Sequence, residues 1–518
     1  GLFFRQHTMV ELFAGAVQRG ITLYPVYSPK DVVEDIQLKD RRFWETLEHP
    51  ELGDTITYPG AFLKLSGSEC GLRRRAPLIG EHNEEIYGEL RRNVSQGADN
   101  PGKSARATPQ GQRALSKHVF EGLKVLDFCW VAAGPTTTKL LVDHGATVIR
   151  VESSHRPDTL RLASPFKDSL PGINRSGYYA SFNNDKLSLA LNLQQPKAIE
   201  IARKLVGWAD IVAESYSPGA MSRMGLDYES LLRIKPDLIM FSTSQQGQTG
   251  PHAGIAGYGT QLVSLAGFTW LGGWPDRVPV GPQGAYTDTT APAVGATAIA
   301  AALDYKRRTG KGMHIDLSHY ESAANFIAPV LLDYMVNGRI QHAQGNRCPE
   351  AAPHGVFHCK GEERWCNIAV FNEEEWLALR GEMGNPDWAG KPEFASFDLR
   401  KLNEDELEKQ IAIWTADQIA EEVMLRLQGA GVPAGVVQNS EDLHNDPQLA
   451  HRNFLRVLDH SEIGKHSYEA LPFKLSKTPA ELKKAAPCLG DDTEYVCTQI
   501  LGLSDEEVVQ LIADGVLE

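Results

Sequence analysis

The chain is expected to be an α/β protein: a parallel sheet covered by helices on both faces, with a smaller α+β domain set into it. Three observations point there. From residue 121 onward, short apolar segments alternate with amphipathic helices, the pattern of strands buried on both faces. Between about 345 and 425 that alternation gives way to a hairpin pattern and acidic helices. The last ninety residues then read as a return to the first domain, and the first ninety residues resemble them.

The elements follow in order. "GLKVLDFCWVAAGP" (122–135) is an apolar strand ending in a Gly-Pro break, and "TTTKLLVDHGATVIRVE" continues as helix, turn and strand. "QPKAIEIARKLVGWADIVAES" and "YESLLRIKPDLIMFSTS" repeat helix-then-strand. "APAVGATAIAAALDYKRRTGKGMHIDLS" is a long Ala-rich helix, a glycine turn and another strand. "GVFHCKGEERWCNIAV" reads as a hairpin. These assignments divide the chain into 120–340 (large domain), 345–425 (small α+β domain) and 431–518 (return to the large domain).

Slid on itself by 411 positions, the chain places residues 20–53 on 431–464 with 12 of 34 positions identical, where unrelated sequences give about two. After a one-residue slip, "APLIG" (76–80) meets "APCLG" (486–490). The preceding helices agree in kind: Met9, Leu12, Phe13, Ala16 and Val17 share one face, and Thr415 with Gln418 has capping-box spacing. Residues 1–90 are therefore expected to be the tail of a preceding copy in a tandem duplication, docked loosely and catalytically silent. Residues 91–119, poor in apolar side chains, are expected to be a disordered linker.

Composition narrows the function. The 518 residues carry a net charge of −14, which argues against a nucleic-acid partner. Seven scattered cysteines without a CxxC pair suit a reducing cytoplasm. No apolar run is long enough for a membrane span, and no signal peptide is read at the N-terminus. Cys348, His354, His358, Cys359 and Cys366 fall close together, but adjacent strand residues face opposite ways and zinc knuckle spacing is missing. No metal is expected.

Familiar nucleotide motifs are missing. "GYG" (257–259) lacks the third glycine of a dinucleotide loop, and "GKG" (310–312) reads as a helix-to-strand turn. The segment with chemical promise is "VPVGPQGAYTDTTAPAVGATAIAAAL" (278–303), which brings Asp288 to the start of a long helix. An aspartate there can simply cap the helix, or it can be a carboxylate nucleophile facing a cleft.

Several segments, in this order, resemble the class III CoA-transferases (the formyl-CoA, carnitine, bile-acid and benzylsuccinate type). They include "GLKVLDF" followed by "GP", "HGATVIRVE", "ADIVAESYSPGAMSRMGL", "GQTGPHAGIAGYG", "PVGPQGAYTD", "RRTGKGMHIDLS", "GVPAGVV" and "APCLGDDTE". The resemblance implies a Rossmann-like large domain built from both ends of the copy, a small α+β domain, and an interlocked homodimer or tandem pseudo-dimer. It implies that Asp288 attacks an acyl-CoA thioester and that the acceptor is a carboxylic acid. CoA is then substrate rather than a tightly bound cofactor. It places CoA contacts at Ala132, Ala133, Leu191, Asn192, Leu193, Gln194, Ser215, Tyr216, Arg223, Gly257 and Tyr258. A glutamine common in the first loop is Ala132 here, and an arginine after the second strand is Ser153. The lid stretch corresponds to 345–356.

Two other functions share this fold or this organisation. An α-methylacyl-CoA racemase needs an acid and a base on opposite faces of the α-carbon. Relatives that racemise carry a histidine where this chain has Tyr258, a poor base at neutral pH. A non-catalytic half of a tandem assembly would not need the intact "AYTD" at 285–288.

Overall fold

The apolar runs become strands because they are short, rich in β-branched residues and bounded by turns. Three strands come from the N-terminal repeat: β1 (Trp44–His49), β2 (Asp54–Pro59) and β3 (Leu63–Leu65). Six follow from the complete copy: β4 (Lys124–Phe128), β5 (Thr147–Glu152), β6 (Leu187–Ala190), β7 (Ile211–Glu214), β8 (Ile239–Ser244) and β9 (Met313–Ser318). A computed structural model, describing residues 2–97 and 117–518, assembles seven of these into one sheet in the order β3-β9-β8-β7-β4-β5-β6. β4 to β9 pair in parallel, joined by helices such as Ala133–Val142, Pro196–Trp208 and Tyr286–Thr309.

Burial follows the two-residue period of a strand. Leu126 and Phe128 enter one core with Ile149, Leu205 and Met240. Val125 and Cys129 enter the other, with Val148, Phe241 and Ile299. The C-terminal return closes the first core through Val496, Cys497 and Leu511, and its last residues bridge Leu191 to Leu517. Gly310, in the left-handed region (φ 72°), ends the helix before β9. "GKG" is thus the turn its sequence suggested.

The chain divides into two compact units. One contains the described residues up to Phe268, with Pro282–Gln341 and Arg456–Glu518. The other contains Thr269–Gly281 and His342–Leu455. In the second, β10 (His354–His358), β11 (Trp365–Ala369) and β12 (Ala434–Val436) form an antiparallel sheet. Trp376, Phe394, Leu407 and Ile411 fill its core. A last hairpin joins β13 (Leu455–His460) to β14 (Gly464–Glu469).

These boundaries correct the sequence reading in four places. The small unit runs on to Leu455 and recruits Thr269–Gly281, whose Gly273 carbonyl accepts from the Gly345 amide at 2.8 Å. The return of the large unit therefore begins at Arg456 rather than 431. The expected linker does not start at 91, because the helix Asn83–Gly97 continues through it; its centre, 98–116, lies outside the described residues. At its other end His118 is buried.

The fourth correction is the largest. Residues 1–90 are not a loosely docked half-domain. β3 adds to the sheet edge antiparallel to β9, with Leu63 opposite Leu317 and Leu65 opposite Ile315. Val32, Leu38 and Phe43 are fully buried. Of the apolar face expected on the first long helix, Phe13 and Ala16 are buried while Met9 and Val17 stay exposed. Phe13 meets His252 edge-on at 5.3 Å. An open sheet edge and an apolar helix pair together bury more than either does alone.

Candidate functional site

Asp288 lies on the helix Tyr286–Thr309, three residues past the N-cap Ala285. It is not the capping residue, but as an acid in the first turn it still complements the helix dipole. Its side chain is buried to within a tenth of full enclosure, and Oδ1 lies 3.4 Å from His319 Nδ1. The other ring nitrogen, Nε2, lies 2.8 Å from Thr243 Oγ1. His319 opens the helix that follows β9, and Thr243 lies near the C-terminal end of β8. Two adjacent parallel strands thus bring an imidazole beside one carboxylate, with a hydroxyl on the far nitrogen of the ring, at the strand ends where open α/β sheets place their ligands.

Gly259 makes room for that carboxylate. A Cβ there would sit 2.6 Å from the Asp288 carboxyl carbon, so any side chain would collide with it. Gly257 and Tyr258 immediately precede it, and Tyr258 is half exposed. The Tyr178 phenol is pushed up by burial and then by the negative charge of Asp288.

A second feature lies over the other half of the sheet. A cavity of about 290 Å³ is lined by Trp130, Glu152, Ser153, Arg156, Leu191, Asn192, Leu193, Gln194, Tyr216 and Arg223, among others. Its walls are strand ends and following loops, with an aromatic corner where Trp130 and Tyr216 meet edge-on at 5.6 Å. The Arg156 guanidinium stacks over Trp130 at 5.3 Å, a cation–π contact. Flat apolar walls beside two arginines suit a heteroaromatic ring carrying phosphates.

A buried charge network supports these loops. Arg150 is fully enclosed, donates to the Cys129 carbonyl at 2.7 Å and pairs with Asp158. Asp158 in turn accepts from the Val131 amide at 3.0 Å, fixing the turn that carries Trp130. Burial alone would raise the Glu152 carboxyl, but Arg150 and Arg161 hold it down at about 2. Burial likewise works against Asp127, and Lys186 with Arg150 keeps it below the usual range. The opposite case is Glu214, at the end of β7: burial pushes it up to about 7 against the help of Ser242 and the Tyr216 amide.

The expected contact residues divide into three groups. Leu191, Asn192, Leu193, Gln194, Tyr216 and Arg223 share the cavity. Ala132, Ala133 and Ser215 stand behind it. Both alanines are buried at the helix start, and Ser215 Oγ accepts from the Trp130 amide at 2.8 Å. Gly257 and Tyr258 lie outside the cavity and instead lead into Gly259, which packs on Asp288. Sequence reasoning missed Trp130, Arg156, His319 and Thr243. Trp130 and Arg156 sit beside quoted signatures, whereas the pairing of Thr243 with His319 has no signature in sequence.

In the small unit, Cys359 and Cys366 are buried on the hairpin, and Cys348 donates to Glu350. Among the described residues, no group of three or more His, Cys, Asp or Glu could hold a metal ion. None of the described helices is long and apolar enough to cross a membrane.

Known proteins match this arrangement. The model of CoA-transferase family III covers residues 2–83 and 120–493, both copies of the repeat included. A probable CoA-transferase of Mycobacterium tuberculosis is 28% identical over 99% of this chain; the chain spans 62% of that relative's length. The mouse succinyl-CoA:glutarate CoA-transferase is 29% identical over 77% of this chain and 90% of its own. An acetyl-CoA:oxalate CoA-transferase of Acetobacter aceti is 33% identical over 66% of this chain and 86% of its own. A crystal structure of a CAIB/BAIF family protein from Brucella suis superposes with a TM-score of 0.69 at 29% identity, over 74% of this chain and 100% of its own. With a family model matched over residues 2–83 and 120–493 and the fold of a solved CAIB/BAIF family protein shared over 74% of the chain, the chain belongs to CoA-transferase family III.

Proposed function

We propose that this chain transfers coenzyme A from an acyl-CoA thioester to a carboxylic acid, with Asp288 as the nucleophile. The observation that carries the reading is the buried Asp288 carboxylate, 3.4 Å from His319 Nδ1 and packed on Gly259. One Asp288 oxygen attacks the thioester carbon, the C–S bond breaks, and the CoA thiolate leaves an acyl-aspartyl anhydride. The thiolate then attacks the aspartyl carbonyl and expels the donor acid, forming an aspartyl-CoA thioester. The acceptor carboxylate attacks that thioester, and the returning thiolate collects the new acyl group and frees Asp288. Covalent relay divides one difficult exchange into easier steps, and enclosure protects the anhydride from water.

The cavity at Trp130 and Arg223 suits the nucleotide end of CoA. Relatives act on succinyl-CoA or acetyl-CoA with glutarate or oxalate, so short dicarboxylates are the acceptors to try first. Asp288→Asn is expected to lower transfer at least about a thousandfold with CoA affinity preserved. Hydroxylamine added with acyl-CoA should mark Asp288 in the unaltered enzyme. Full activity in the variant would remove Asp288 from the mechanism. Because Tyr258 is a poor base, a 2-methylacyl-CoA in deuterated water is expected to show no α-proton exchange; rapid exchange would make the protein a racemase.

The assembly is part of the same proposal. The helices Ser440–Asn445 and Pro447–Arg452 repeat Pro29–Glu34 and Ile36–Asp40 but bury none of their residues. An interlocked second copy is the expected occupant, meeting these helices with a surface other than the one its own residues 28–43 cover. Its measure is the mass in solution of the protein and of Leu443→Asp.

A further inference from the structure

Between β8 and the helix carrying Tyr258 and Gly259, the chain runs through a loop at 245–258 that has little secondary structure of its own. Such a loop must satisfy its backbone polar groups elsewhere, and it does so on the N-terminal repeat. Gln37 Nε2 donates to the carbonyls of Gln246 at 2.7 Å and Thr249 at 2.8 Å, and its Oε1 accepts from the His252 amide at 2.8 Å. Gln37 is fully buried, and all three contacts go to this loop.

Arg41 holds the other side. Its guanidinium donates to Thr249 Oγ1 at 3.0 Å, to Asp316 Oδ2 at 2.9 Å and to both oxygens of Glu321, at 2.6 and 3.1 Å. Asp316 in turn accepts from the Gln248 amide at 3.0 Å. The loop has two glycines in the left-handed region, Gly247 (φ +85°) and Gly250 (φ +100°). A Cβ at Gly247 would lie within the Arg41 guanidinium, and one at Gly250 would lie 2.5 Å from Gln37 Oε1. The backbone therefore approaches these two side chains more closely than any other residue type allows. Further along, the Tyr24 hydroxyl donates to Gln245 Oε1 at 3.2 Å, and its ring fills the space beside Gly257.

We propose that Gln37 and Arg41 are positioning residues for the transfer reaction: the N-terminal repeat moulds the loop whose end, Gly257–Gly259, forms the wall against Asp288. The first ninety residues contain no nucleophile, yet the site is incomplete without them. The proposal rests on the assignment of Asp288. A displacement of about 1 Å in a reacting group costs on the order of a hundredfold in rate, and a loop released from Gln37 has that freedom.

The test compares the full chain with Gln37→Ala, Arg41→Lys and Asp288→Asn. In Gln37→Ala, kcat for transfer from succinyl-CoA to glutarate is expected to fall about ten- to a hundredfold, while CoA affinity changes less than about threefold, since the lining of the nucleotide cavity is untouched. Amide exchange at Gln248 and His252 is expected to accelerate. Arg41→Lys keeps the charge but loses the two-oxygen contact with Glu321, and is expected to show a smaller loss of the same kind. Wild-type kcat in Gln37→Ala, or a lost rate without faster exchange at those amides, overturns the proposal. Activity retained in Asp288→Asn would instead overturn the nucleophile. The exchange measurement needs no turnover, so it decides whether Gln37 orders the loop even if another acid is the true acceptor.

Discussion

Residues 28–66 and 439–477 are two renderings of one sequence pattern. Both begin with a capping residue and two short helices joined by an aspartate, and both go on to a hairpin of two six-residue strands: β1–β2 in the first, β13–β14 in the second. Asp35, Gln37, Leu38, Arg41 and Phe43 recur as Asp446, Gln448, Leu449, Arg452 and Phe454. Local structure is the same because the local signals are the same. Asp35 caps the amides of Gln37 and Leu38, and Asp446 caps that of Leu449. The surroundings differ. Leu38, Phe43 and Arg41 are buried against the large unit, whereas the second helix pair buries nothing. The two hairpins also separate: β3 follows the first into the main sheet, while Ile463 and Tyr468 of the second pack with Leu160 and Tyr179. Equal sequence thus makes equal helices and turns, and the neighbour decides which of their faces carries energy.

The comparison breaks most sharply at Arg41. Asp316 and Glu321 rely on its charge, and burial raises the Glu321 carboxyl even with Arg41 beside it. Arg41→Met leaves both acids without their cation and is expected to cost about 3–5 kcal/mol, the usual loss when one member of a buried pair is removed. Denaturant midpoints with an unchanged slope would measure it. A loss below about 1 kcal/mol would mean water reaches these acids.

Paired truncations come next. Phe43→Ala should cost about 3–5 kcal/mol and Leu38→Ala about 2–5. Their counterparts Phe454→Ala and Leu449→Ala should each cost under about 1.5 kcal/mol in dilute protein, because those side chains are only partly covered. If the second helix pair docks on another copy, the gap should close as protein concentration rises, since association adds to apparent stability.

Gly259→Ala examines the catalytic side. Its Cβ would need the space of the Asp288 carboxylate, so transfer is expected to fall at least tenfold with little change in CoA affinity. A variant as active as the parent would show that Asp288 moves away from Gly259 during turnover.

A further expected effect is a pH dependence of stability. Glu214 ionises near pH 7 in the folded chain against an ordinary value of 4.5. The folded state therefore holds a proton that the unfolded state has released. Stability from this group is full below pH 4.5, declines between 4.5 and 7, and is flat above. The decline should be on the order of 3 kcal/mol and should be missing in Glu214→Gln, as read from denaturant curves across that range.

Much of this was legible in advance. The alternating apolar runs marked β4, β5, β7, β8 and β9, since a strand buried on both faces can be little else at that length, but the four residues of β6 (Leu187–Ala190) are too short a run to stand out. Asp288 stood out by its approach and its helix start, and six of the residues named with it line one cavity, five of them just after the ends of β6 and β7 and Arg223 on the short helix Ala220–Met224. The repeat itself was visible as identity at a fixed spacing. The sequence by itself determined the helices, the turns and their caps, because these depend on contacts a few residues apart. Only the tertiary structure decided that the first helix pair is buried and the second is not, that Thr243 pairs with the His319 ring beside Asp288, and that Gln37 fits beneath a loop some two hundred residues away. Such contacts come from packing between distant elements, and no local pattern encodes which of two identical faces meets a surface able to bury it.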